Sequence, residues 1–188
     1  MKINTPLSVR EIQKKDIESI ANYWERADPK YLESLGVAPE RRVTRDELQK
    51  ALTKQLNSPI REKSSCTLIA EIDGRQIGHS NISRIKFGLQ AFFHCHLWYS
   101  DIRQKGYGTE FALKSFHYYF DNFNLKQIIC DPYARNTAPN KALENLGFEF
   151  IKQYTTIPGA QNFEQDVKEW RLSKNQYKKL ISEDKINT

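Results

Sequence analysis

Cysteine is scarce in this 188-residue chain, and what there is lies scattered. Cys66, Cys95 and Cys130 form no C-x-x-C pair and sit in separate apolar runs, which argues against both a disulfide framework and a zinc site. No apolar run approaches the ~18 residues that a membrane-spanning helix needs, so neither a span nor a membrane partner is expected. The opening residues, Met1 to Pro6, lack the apolar stretch of a secretory signal, and the expectation is a cytoplasmic protein. Internal repeats and low-complexity tracts are missing too. Charge of one sign is nowhere concentrated. The 29 Lys+Arg against 23 Asp+Glu give a net charge of +6, spread over the whole length. A nucleic-acid binder gathers its basic residues on one face or helix, so no nucleic-acid partner is expected. The mild positive field implied by a pI near 9.1 favours anionic ligands in general and goes no further.

What is present is material for a core. Hydrophobic residues make up 39% and aromatics 12%, which suits a single domain over residues 1–188. Leu7 to Ile12 alternates like a first strand, and Asp16 opens a helical pattern with Ile17, Ile20, Ala21 and Trp24 on one face. Pro29 and Pro39 bracket a short segment around Tyr31. Thr44, with Glu47 three residues later, has the form of a capping box for a helix ending before Pro59. Cys66 to Ile72 runs into Asp73-Gly74, a strong hairpin signal, and Ile77 to Ile85 returns. Ala91 to Tyr99 is a third, aromatic strand. After a glycine-containing loop, a helix is expected from Thr109 to about Asn122, then a short strand over Gln127 to Cys130. Pro139 to Leu146 reads as a helix closed by Gly147. Phe148 to Tyr154 and Val167 to Leu172 are the last candidate strands, with Ser173 placed to cap a closing helix. Adjacent strands ahead of a βαβ unit make this an α+β chain with a mixed sheet.

The loop Arg103-Gln104-Lys105-Gly106-Tyr107-Gly108 carries the chemistry. Two glycines one residue apart let backbone N–H groups approach a ligand, and the following helix adds its unpaired donors and positive dipole end. That is a place for a phosphate or pyrophosphate, with Arg103 and Lys105 as nearby cations. A dinucleotide fingerprint would need glycine where Phe111 stands, and a P-loop would need Gly-Lys-Ser/Thr. Neither motif is present.

Arg103-x-x-Gly106-x-Gly108 resembles the coenzyme A pyrophosphate loop of the GCN5-related N-acetyltransferase (GNAT) family, and Lys105-Gly106-Tyr107-x-Thr109-Glu110 looks like its ribosomal-protein N-acetyltransferase branch. Downstream, Asn136 and then Leu143-Glu144-Asn145-Leu146-Gly147-Phe148 resemble the family's asparagine–helix–Gly-Phe segment. The resemblance covers residues 66–152 well. It implies the acyl-CoA N-acyltransferase fold, a mixed twisted sheet with helices on both faces. The strands Ala91–Tyr99 and Gln127–Cys130 would splay to admit the pantetheine arm. It also implies acetyl-CoA as acyl donor, held by Leu97, Trp98, Tyr99, Arg103, Gln104, Lys105, Gly106, Tyr107, Gly108, Thr109, Asn136, Asn140 and Leu143. Many relatives place a tyrosine acid where Leu143 stands, often Ser or Ala where Pro139 stands, and frequently glycine at Gln104.

The residues themselves leave several roles open. His94 and His96 share a strand face with Phe92 and Trp98, either as a general base or as packed pocket walls. Their H-x-H spacing lacks a third ligand, so no metal is expected. Cys95 alternates onto the other face with Phe93 and Leu97, as a buried thiol. Asn136 either caps the next helix or contacts cofactor or substrate. Tyr23, Trp24 and Tyr31 either wall an acceptor pocket or pack a core. Asp131 either binds or deprotonates an amine, or only ends its strand before Pro132. The resemblance implies acetyl transfer to a primary amine, on a small molecule or a protein, through a ternary complex, with the Trp98 backbone N–H on the oxyanion. A non-catalytic acyl-CoA-binding module is the alternative. Neither the identity of the amine nor the oligomeric state is legible at this level.

Overall fold

The hairpin signal at Asp73-Gly74 is a real turn. Both residues take left-handed backbone conformations, φ 51° and 73°, as a type I′ turn requires. It joins β2 (Ser65–Ile72) to β3 (Arg75–Lys86). In this computed structural model, which describes residues 6–183, seven strands form one sheet in the order β1-β2-β3-β4-β5-β7-β6. β1 is Ser8–Glu11, β4 Gln90–Leu97, β5 Gln127–Cys130, β6 Glu149–Thr156 and β7 Gln165–Ser173. Every neighbouring pair is antiparallel except β4 and β5. Parallel strands need a crossover, and the helix α4 (Tyr107–Asn122) supplies it.

Alternation along the strands sorts the two faces. On one, α1 (Ile17–Arg26) and α3 (Arg45–Asn57) lay Ile17, Ile20 and Leu52 on Ile69. Thr44 and Glu47 form the expected reciprocal cap of α3. A short helix, α2 (Pro29–Ser34), follows α1 and is capped by Asp28. On the other face, α4, α5 (Thr137–Asn145) and α6 (Lys174–Glu183) bury Phe116, Phe120, Leu143 and Tyr177 against Ile82, Phe93, Ile128 and Leu172. Ser173 accepts from the Gln176 N–H at the start of α6, as expected.

A strap crosses from the segment after α2 to the loop between β6 and β7. Ala38 N–H donates to Gln161 O at 2.8 Å, and the Gln165 and Asn162 side-chain amides both donate to Gly36 O, at 2.7 and 2.8 Å. Gly36 is required there. Its φ is +79°, and a Cβ would fall 2.0 Å from the Gln165 side-chain oxygen.

Among the described residues, no helix is long and apolar enough to cross a membrane, and no group of three or more His, Cys, Asp or Glu could hold a metal ion.

Candidate active site

β4 and β5 pair only from Gln90–Gln127 to Phe92–Ile129. Past that point β4 continues to Leu97 bonded to β3 alone, so a gap opens between the two parallel strands. Which β4 groups face the gap follows from the ladder. Trp98 N–H donates to Ile77 O at 2.9 Å, and antiparallel bonds alternate residue by residue. Trp98, His96 and His94 therefore bond toward β3, while Cys95 and Leu97 turn their N–H groups to the gap. This corrects the expectation for Trp98. Its N–H is engaged in the ladder, and Leu97 offers the donor in its place.

The glycine loop differs by two residues from the expected layout. α4 begins at Tyr107, with Gly106 as N-cap at φ 90°. Gly108 lies inside the first turn, where a Cβ would meet only Leu97 Cδ1 at 3.6 Å. Thr109 and Glu110 N–H both bond Gly106 O at 3.1 Å. The unpaired donors of the helix are thus those of Tyr107 and Gly108, not Thr109. Beside Gly106 there is open space, with no atom outside its chain neighbours within 4 Å of where a Cβ would stand. Gln104, where many relatives have glycine, itself adopts φ 60°. Lys105 is exposed. Arg103 points elsewhere than expected. Its guanidinium donates to Leu97 O at 3.0 Å and stacks 4.5 Å over the Tyr31 ring, at the free edge of β4.

The face of β4 opposite the core carries an aromatic and imidazole cluster. His79 on β3 pairs with His96, their rings stacked at 4.9 Å. Tyr23 of α1 reaches His96 Nδ1 at 3.2 Å and the Tyr31 hydroxyl at 3.2 Å. Trp98 Nε1–H donates to His79 Nδ1 at 2.7 Å. An indole N–H only donates, so His79 carries its proton on Nε2. Burial pushes His79 down to about 3, and it also holds His94 and His96 below their ordinary range. All three are neutral at physiological pH. His79 was not picked out from the sequence; it faces this way because Ser80 and Ile82, one and three residues on, face α4. Arg84 was missed as well. It stacks 3.3 Å over Phe92 and binds Asp131 Oδ2 at 2.9 Å, tying β3 to the end of β5.

Two further expectations change. Asn140 is buried with its amide wholly engaged inside the protein. It donates to Tyr133 O and Asn136 O and accepts from Trp170 Nε1–H, so it positions the loop before α5 instead of touching a cofactor. Asn136 stands at the N-cap position of α5 but makes no side-chain cap bond, which leaves its amide for a ligand. Leu143 is 7% exposed, within the core beneath α4. Cys66, Cys95 and Cys130 are free thiols, and burial raises Cys66 and Cys95 to about 12 and Cys130 well above its usual value. None is a thiolate nucleophile. Next to Trp98 and Tyr99 a cleft of about 670 Å³ opens, walled also by Tyr23, Tyr31 and Arg103.

The architecture is shared with solved structures. A spermidine N-acetyltransferase from Vibrio cholerae, in complex with CoA and spermine, is similar over 93% of this chain and 99% of its own, with a TM-score of 0.76 and 19% identity. RimL, a ribosomal L7/L12 alpha-N-protein acetyltransferase in complex with CoA, is similar over 93% of this chain and 97% of its own, with a TM-score of 0.76 and 11% identity. No curated protein sequence matches. A family model described as the acetyltransferase (GNAT) domain matches residues 7–149, a span that includes the gap, the glycine loop and the imidazole cluster. By that match the chain belongs to the GNAT family of acetyl-CoA-dependent N-acetyltransferases.

Proposed function

We propose that the protein transfers an acetyl group from acetyl-CoA directly to a primary amine within a ternary complex. The observation that carries this reading is the gap between β4 and β5, lined by the Leu97 and Cys95 N–H groups and opening beside Gly106. The pyrophosphate of acetyl-CoA rests on the Tyr107 and Gly108 N–H groups, Lys105 adds charge, and the arm lies along the free edge of β4 toward Asn136. Two relatives of the fold crystallised with CoA, one acting on spermidine and one on a protein N-terminus, are in keeping with an amine acceptor.

The amine nitrogen attacks the thioester carbonyl from the imidazole face. The Leu97 N–H stabilises the tetrahedral oxyanion, a preorganised donor in a site of low polarity. With Tyr23 donating to Tyr31 and accepting from His96 Nδ1–H, His96 Nε2 is left as a proton acceptor, and we assign it the role of base. His94 and Asp131, whose carboxylate Arg84 binds, support the acceptor side. The C–S bond then breaks and coenzyme A leaves as thiolate. A thiol of pKa ~8.5, by analogy with cysteine, is a tolerable leaving group without an acid at Leu143.

Initial rates with acetyl-CoA and a panel of amines, read by mass spectrometry, test this. Acetylated amine and intersecting double-reciprocal plots are expected. Cofactor binding without turnover of any amine would point to a binding module, and parallel plots with a trapped acyl-enzyme to a covalent route.

A further inference from the structure

The cleft beside β4 has a charge that acetyl transfer itself does not require. Arg26, Arg75 and Arg103 stand on its wall against one carboxylate, Asp28. Asp28 accepts from the Tyr31 N–H at 3.1 Å as the cap of α2. Of the eight arginines elsewhere, four pair with carboxylates among the described residues, Arg10 with Asp16 and Glu71, Arg45 with Glu18 and Glu25, Arg84 with Asp131, Arg171 with Glu169, and Arg41, Arg42, Arg61 and Arg135 do not. Among the described residues, none of the three cleft arginines has a carboxylate within ion-pair distance. Two are held in place by aromatic rings that leave the charge intact. Arg75 lies 4.1 Å over Tyr99, and Arg103 4.5 Å over Tyr31.

The cleft also abuts the reacting centre. Tyr23 and Trp98 form its inner wall; Tyr23 touches His96, and Trp98 follows Leu97 in the strand. Its volume of about 670 Å³ suits a small molecule or one terminal residue of a peptide. A polyamine would bring positive charge to a wall of three arginines, with Asp28, already the cap of α2, as the one carboxylate to receive it.

We propose that the acceptor is an amine that itself carries a carboxylate or phosphate, seated with this anionic group among Arg26, Arg75 and Arg103 and its nitrogen toward His96. The proposal rests on the acetyl-transfer reading above and makes Arg26 and Arg75, both exposed, specificity-determining residues. Guanidinium suits either anion, since both accept paired hydrogen bonds.

The test compares matched acceptors with the purified protein: phosphoethanolamine against ethanolamine, Gly-Asp against Gly-Asn with both dipeptides amidated at the C-terminus, and spermidine. The anionic member of each pair should have the higher kcat/KM, by about tenfold for a charge-assisted contact. That preference should shrink as salt is raised, and shrink again in Arg26→Gln and Arg75→Gln. Calorimetric titration of phosphoethanolamine and Gly-Asp onto the CoA-saturated protein gives a readout independent of turnover. If these ligands bind in an Arg75-dependent way and are not acetylated, the cleft assignment survives and the reaction assigned above fails. Equal use of neutral members, or preference for spermidine, overturns the proposal. So does a loss of acetyl-CoA affinity in Arg26→Gln or Arg75→Gln, which would give these arginines to the cofactor.

Discussion

The two faces of β4 are made by the same eight residues and have opposite characters. Phe93, Cys95 and Leu97 point to α4, where Phe93 meets Phe116 edge-on at 4.8 Å in a dry core. One residue out of step, His94 and His96 face the other way, followed by Trp98, toward tyrosines, imidazoles and a cleft. The residues that β4 itself gives to the core face are apolar or a thiol, and the buried hydroxyls nearby, on Ser80, Ser115 and Tyr119, bond to one another. The other face holds buried polar groups, each needing a partner, and it has them in Tyr23, Tyr31, His79 and Ser83. Stability and chemistry are thus separated by strand alternation and not by distance.

Substitutions on each face can break this contrast. Phe116→Ala, at 0% exposure, should cost about 3–5 kcal/mol in urea denaturation while the folded fraction keeps its turnover rate. His96→Gln should do the reverse. We expect kcat to fall ~100-fold, as for loss of a general base, with a thermal midpoint near the parent's. A destabilisation as large as that of Phe116→Ala would move His96 into the core and end its role as base.

Acidification sharpens the contrast. The unfolded chain protonates its histidines near 6.5, whereas His79 in the folded protein resists down to about 3. Stability contributed by neutral His79 is therefore complete above 6.5 and declines as pH falls, by ~1.4 kcal/mol per pH unit for each such group. Denaturation at pH 6.5 and 5 should show this slope, and His79→Gln, whose carbonyl can still accept from Trp98, should reduce it. With His96 likewise neutral, no limb of the pH–rate profile near 6.5 should come from this imidazole. The smallest effect lies in the loop. Gln104→Gly relieves a left-handed residue but loosens the unfolded chain, for a net gain of about 0.5 kcal/mol in thermal denaturation.

Local rules made much of the fold legible. Thr44 and Glu47 cap α3 as their spacing implies, Asp73-Gly74 turns the hairpin, and β5 occupies Gln127–Cys130 as read. What local rules missed depends on partners remote in sequence. Asn140 is engaged by Trp170, thirty residues away. The Trp98 N–H is set by the β3–β4 register, in which β3 is irregular between Ser83 and Lys86. The two glycines were read as loop, yet only Gly106 takes the left-handed angle, so α4 starts earlier than the pattern suggests. The cleft arginines come from α1, β3 and the loop after β4, and no window of sequence brings them together.

The strap through Gly36 has a consequence for the order of assembly. Its hydrogen bonds join residues 126 and 129 positions apart, linking the segment after α2 to the last hairpin of the sheet. Contacts of such sequence separation carry a large loop-closure cost and tend to form late. The hairpin β2–β3 and the α4 crossover need only near neighbours and can assemble first, whereas the strap closes only once β6 and β7 have docked. A chain still emerging from synthesis would thus hold every residue of its arginine-lined cleft, Ser19 to Arg103, before the strands that the strap fastens have been made.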